Sequence, residues 1–133
     1  MIIDSSALIA VLARELDADR FLLAMSTAPQ RRISAATLLE TSIVIKRMLG
    51  ETGPISLNRF IERAEIEVVA LTPEQAHIAS QAYSRFGKGT GHPARLNILD
   101  CCTYALAAVT GEPLLFKGAD FDKTDLLTVS TEQ

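Results

Sequence analysis

Four carboxylates stand at or just beyond the ends of short apolar segments: Asp4 after Met1-Ile2-Ile3, Glu40 in SAATLLETSIV, Asp100 in LNILDCC and Asp120 in LLFKGADF. Several carboxylates within a few ångströms of one another cannot all ionise comfortably unless a cation neutralises them. No histidine or cysteine set accompanies these acids, so an all-oxygen site selects a hard ion, Mg2+ or Mn2+. Such an ion orients a phosphate, helps to ionise an attacking water and offsets charge on the leaving oxygen, which is the chemistry of phosphoryl transfer.

Each acid also has a local explanation that stays open at this stage. Asp4, with Ser5 and Ser6, fits the cap of a helix whose first amides lack partners. Asp100 follows Asn97 by three residues and imitates a capping box. Asp120 and Asp122, in KGADFD, suit a turn. Glu40 shares its helical azimuth with Arg47 and can pair with it.

The elements that must position these residues alternate. Ile2-Ile3, Arg32-Ile33-Ser34, Ile66 to Leu71, Leu114-Leu115-Phe116 and Leu126 to Val129 read as strands. Between them lie helical stretches from Ser6 to Ala13, Asp17 to Met25, Ala35 to Leu49, Ser56 to Arg63, Pro73 to Phe86 and Ile98 to Thr110. This alternation predicts an α/β fold with a mostly parallel central sheet flanked by helices. In such sheets ligands bind beyond the carboxyl ends of the strands. Asp4 and Asp120 directly follow strands, and Glu40 and Asp100 lie in the early turns of helices, so all four can meet at one edge. The stretch from Ala35 to Leu49 is apolar on nearly every side at about 100° per residue, which predicts a largely buried helix. Gly50 to Pro54 ends it, and Thr72-Pro73 marks a capped helix start.

At 133 residues the chain is expected to form a single domain, residues 1–133. Its 48% hydrophobic and 22% charged content excludes disorder. Lacking a basic leader or a membrane-length apolar run, it is expected to be cytoplasmic, with no membrane association. The net charge of −3 argues against holding a polyanion by a global positive field, so any nucleic acid must be met by a local patch. Lys88, His92 and Arg95, in the irregular segment FGKGTGHPAR, and Arg47 are the candidate phosphate contacts. That segment lacks the G-x-x-x-x-G-K-[ST] order of a phosphate-binding loop and is read as a flexible loop. The pairs Arg31-Arg32 and Lys46-Arg47 are expected to be solvated charges. His77 and His92 have no zinc-ligand spacing, and no G-x-S-x-G elbow is present. The adjacent Cys101 and Cys102 suit neither a disulfide framework nor a metal site and are read as small buried hydrophobes.

The stretches MIIDSSAL, SAATLLETSIV, GHPARLNILDCCTYALA and LLFKGADF, in this order and spacing, resemble the PIN-domain family, and within it the VapC-type ribonuclease toxins of toxin–antitoxin pairs. The resemblance runs from end to end. It implies a Rossmann-like parallel sheet and a metal site formed by Asp4, Glu40, Asp100 and Asp120. Ser6 resembles the hydroxyl that accompanies the first aspartate, and Asn97 the polar residue one turn before the third acid. Gly118 stands where many members carry a further acid, leaving open whether one ion or two is held. The resemblance further implies Mg2+- or Mn2+-dependent cleavage of RNA, a homodimer, and silencing by a small VapB-type antitoxin. A catalytically idle RNA- or protein-binding module and a DNA nuclease are the alternative functions.

Overall fold

A computed structural model describes residues 1–131. Four strands, β1 (Ile2–Ile3), β2 (Arg31–Ser34), β3 (Ile66–Val69) and β4 (Leu114–Leu115), form one sheet in the order β3-β2-β1-β4. Every pairing is parallel, with Ile2 opposite both Arg32 and Leu114. Around it lie α1 (Ser5–Leu12), α2 (Ala18–Thr27), α3 (Ala35–Leu49), α4 (Thr52–Arg63), α5 (Pro73–Phe86) and α6 (Ile98–Thr110), with a 3-10 turn at Phe121–Lys123. Among the described residues no helix is long and apolar enough to cross a membrane.

The period of two along the central strands divides the core. Ile2 and Leu114 face a cluster with Ala82 and Phe86 of α5 and Tyr104, Ala105 and Leu106 of α6. Ile3, Ile33 and Leu115 face the other side, against Ala7 and Leu8 of α1, Phe21 and Met25 of α2 and Leu57 of α4. These central aliphatics are fully buried, each contributing about 1.5–3 kcal/mol of transfer free energy. Two-residue strands therefore suffice at the centre, because both of their faces are covered.

The segment Leu126 to Val129, expected as a fifth strand, makes a single parallel bridge from Thr128 to Leu114. The helix expected from Ser56 begins at Thr52, since Pro54 sits within its first turn, where no amide partner is needed. Gly53, in that same turn, lies so close to α3 that an added Cβ would stand 2.6 Å from the Ile45 carbonyl oxygen. The expectation that α3 is largely buried fails. Its buried side carries Thr37, Thr41 and Ile45, while Leu39, Ile43 and Met48 are 61%, 47% and 51% exposed. The threonines are buried at low cost because they are satisfied: Thr41 Oγ1 donates to the Thr37 carbonyl, and the Thr37 and Thr103 hydroxyls meet at 2.8 Å.

Arg31 and Arg32 are structural cations rather than solvated ones. Arg31 donates to the carbonyls of Met25, Ala28 and Ala64, at the ends of α2 and α4, where the helix dipoles favour positive charge. Arg32 pairs with Glu67 and Glu112. The segment 87–95 is also more organised than expected for a flexible loop. Its base is closed by a Gly87–Leu96 bridge, Ala94 and Leu96 are fully buried, the Tyr83 hydroxyl donates to the Lys88 carbonyl, and the His92 ring meets Phe86 edge-on.

Candidate active site

Asp4 leaves β1 as the N-cap of α1. Its Oδ2 accepts from the Ser6 amide at 3.1 Å and the Ser6 hydroxyl at 2.6 Å, and its Oδ1 accepts from the Thr103 hydroxyl at 3.1 Å. The Ser6 hydroxyl in turn accepts from the Lys117 amide at 2.9 Å, which ties the exit of β1 to the loop carrying Asp120. Asp100 completes a capping box on α6: Asn97 Oδ1 accepts from the Asp100 amide and Asp100 Oδ2 from the Asn97 amide, at 2.8 and 2.9 Å. Glu40 stands one turn beyond Thr37 on α3, half-buried. Asp120 is exposed at the start of the 3-10 turn after β4.

The local explanations of Asp4 and Asp100 are therefore correct, and they coexist with clustering. Burial pushes the Asp100 carboxyl up to about 6, and the negative charges of Asp4, Glu40 and Asp120 add to that rise against the Asn97 amide. Glu40 is raised by burial and by the Asp4 charge, partly offset by the Ser5 hydroxyl beside it. Asp4 is raised by burial, a rise opposed by its hydrogen bonds from Ser6 and Thr103. Like-charge repulsion thus links all four acids through Asp100, but desolvation is the larger cause.

A hard divalent cation matches this donor set in kind and in charge. Asp100 spends Oδ2 on its cap, and its Oδ1 accepts no hydrogen bond among the described residues. Asp4 keeps capacity on Oδ1 beyond the single Thr103 bond. No group of three acids, histidines or cysteines stands at ion-ligand distance in this conformation among the described residues.

Ser6 and Asn97 are joined directly to the acids. Arg47, Lys88 and Arg95 are exposed and make no polar contact with the four acids among the described residues, and on α3 it is Lys46 that forms an ion pair, with Glu51 at 3.5 Å. Asp122 lies apart, accepting from Thr128. Beside Asp100, between α5 and α6, runs a groove of about 530 Å³ lined by residues that include Leu71, Tyr83, Ile98, Cys101 and Cys102. Burial and the Asp100 charge push the Cys101 thiol up to about 11, which removes it as a nucleophile. Sequence reasoning missed Thr103 and Thr37, whose only signal was a hydroxyl in a run otherwise suited to the core. It also missed Lys117, whose ammonium bridges Glu15 and Asp17.

A family model for the PIN domain matches residues 1–127. Ribonuclease VapC30 of Mycobacterium tuberculosis is 46% identical over 130 residues, covering 98% of each chain. The chain is a PIN-domain protein of the VapC ribonuclease family. Ribonuclease VapC of Mycolicibacterium smegmatis is 47% identical over 129 residues, covering 97% of this chain and 99% of that one. This PIN domain also superposes on the sarcin-ricin loop cleaving toxin VapC20 of M. tuberculosis, with a TM-score of 0.79 at 18% identity over 96% and 97% of the two chains. A toxin–antitoxin complex from Klebsiella pneumoniae gives 0.72 at 18% identity over 99% and 98%. These structures share the α/β PIN fold, and the closer sequences place the chain among RNA-cleaving enzymes of the VapC family.

Gly118 stands where the resemblance implied a further acid. Its φ of 106° lies where side chains other than glycine are strained, although an added Cβ would meet open space.

Proposed function

We propose that this PIN domain acts in the cytoplasm as a metal-dependent endoribonuclease toxin, with Asp4, Glu40, Asp100 and Asp120 as the ligands of Mg2+ or Mn2+. The observation that carries the reading is the convergence of acids from four separate segments, with the charges of Asp4, Glu40 and Asp120 all reaching Asp100. When bound, the cation supplies positive charge that offsets the scissile phosphate and eases ionisation of an attacking water. The chain's own part is to hold the donors. Ser6 fixes the Asp4 carboxylate and the Asp120 loop together, and Asn97 holds Asp100 at the start of α6. Arg47, Lys88 and Arg95 are free to meet the phosphates of an RNA strand, as a local patch on an acidic protein must.

The partners in this reading are a second copy of the chain and a small VapB-type antitoxin. Support comes from the exposed apolar side chains Leu39, Ile43 and Met48 on α3 and Leu22 and Leu23 on α2, more than an isolated domain needs on two helices. The likeness to a toxin–antitoxin complex points the same way.

The test is cleavage of single-stranded RNA and DNA of one sequence with Mg2+, Mn2+ or a chelator. RNA is expected to be cut only with a cation, and DNA is expected to survive. Cleavage undiminished by chelator would refute the metal site, and preferential cutting of DNA would refute the substrate.

A further inference from the structure

We propose that Thr103 is a positioning residue for Asp4, and that with Thr37 it determines which Asp4 oxygen faces a bound cation. The inference rests on the reading of the four acids as a cation site.

Asp4 is 4% exposed, so its acceptor capacity is divided among protein groups rather than water. Oδ2 receives two donors, the Ser6 amide and the Ser6 hydroxyl, which fills its two in-plane positions. Oδ1 receives only the Thr103 hydroxyl. One lone pair of Oδ1 is therefore the remaining site on this carboxylate, and the Thr103 bond sets its direction.

The hydroxyl protons fix the polarity of the arrangement. A threonine has one O–H hydrogen. Thr103 gives its hydrogen to Asp4, so across the 2.8 Å contact with Thr37 it is Thr37 that donates. Donation runs from Thr37 on α3 to Thr103 on α6 to Asp4 at the exit of β1, through residues no more than 1% exposed before the carboxylate is reached. Glu40 follows Thr37 by three residues and Asp100 precedes Thr103 by three, so each threonine neighbours an acid on its own helix. The pair of hydroxyls thus sets the register of two acid-bearing helices while orienting the third acid.

Thr103→Val removes the hydroxyl at nearly constant volume, and Thr103→Ser keeps it. Each is compared with the wild type by titration calorimetry with Mn2+ alone, at a temperature where circular dichroism shows full folding. The valine variant is expected to bind Mn2+ about tenfold or more weakly, the range typical of groups that orient metal ligands, while the serine variant stays near the wild type. Equal weakening by valine and serine would mean that the methyl group matters rather than the hydroxyl, and would overturn the proposal, as would wild-type affinity in a folded Thr103→Val protein. If that variant fails to fold, Thr37→Val breaks the donor chain one step earlier. A measurable weakening upholds the proposal there, and unchanged affinity overturns it. No Mn2+ binding by the wild type itself would instead refute the cation site.

Discussion

Asp100 shows how a single carboxyl links site and stability. Its value near 6 lies above the ordinary aspartate value of 3.8, so the folded chain holds this proton more tightly than the unfolded chain does. The associated stability is fully present below about pH 4 and is lost as the pH rises through 6. Discounted for partial solvent exposure, the loss is about 1–2 kcal/mol. Metal-free wild type and Asp100→Asn, which keeps an acceptor for the Asn97 amide, are to be compared by urea denaturation at pH 4.5 and 7.5. The variant should gain on the wild type by that amount at the higher pH, and a difference flat with pH would contradict the account. The four candidate acids stood out in the sequence because carboxylates beyond strand ends are conspicuous. Their capping bonds were legible too, from Asp4-Ser5-Ser6 and Asn97-Ile98-Leu99-Asp100. The Thr37–Thr103–Asp4 chain was not, since it joins residues 99 positions apart and a threonine in an apolar run reads as ordinary core.

At the scale of elements, the helices act as rigid arms that carry acids to the carboxyl edge of the sheet. Their bounds were readable where caps are strong, as at Thr72, Ser34 and Asn97, whose side chains accept from the first turns of α5, α3 and α6. The start of α4 was misread because Gly53 and Pro54 looked like a turn but form its first turn, and the burial of α3, though not its bounds, was misjudged from apolar content alone. The close approach of Gly53 to Ile45 gives a direct test of the α3–α4 contact. Gly53→Ala has to push α4 away from a backbone carbonyl, which costs about 1–3 kcal/mol. Denaturant unfolding should report that loss, and an unchanged midpoint would mean that the two helices yield without strain.

For the whole molecule, the parallel sheet with both faces covered was legible from the alternation of apolar strands and helices. The outward stripe of α3 was not, because composition cannot say which side of a helix another chain covers. If that stripe meets partners, Leu39→Glu together with Ile43→Glu should leave the circular dichroism spectrum and unfolding midpoint nearly unchanged, while sedimentation shows weaker self-association or antitoxin binding by tenfold or more. Assembly identical to the wild type would place the interfaces elsewhere.

The central claim is that four acids gathered at one sheet edge make this PIN domain an RNA-cutting enzyme. It is tested most directly by sequencing the RNA ends generated in cells that express the wild type or Asp4→Asn at equal levels. A discrete set of new cleavage ends should appear with the wild type and vanish with the variant. The same ends from both proteins, or none from either, would contradict the account.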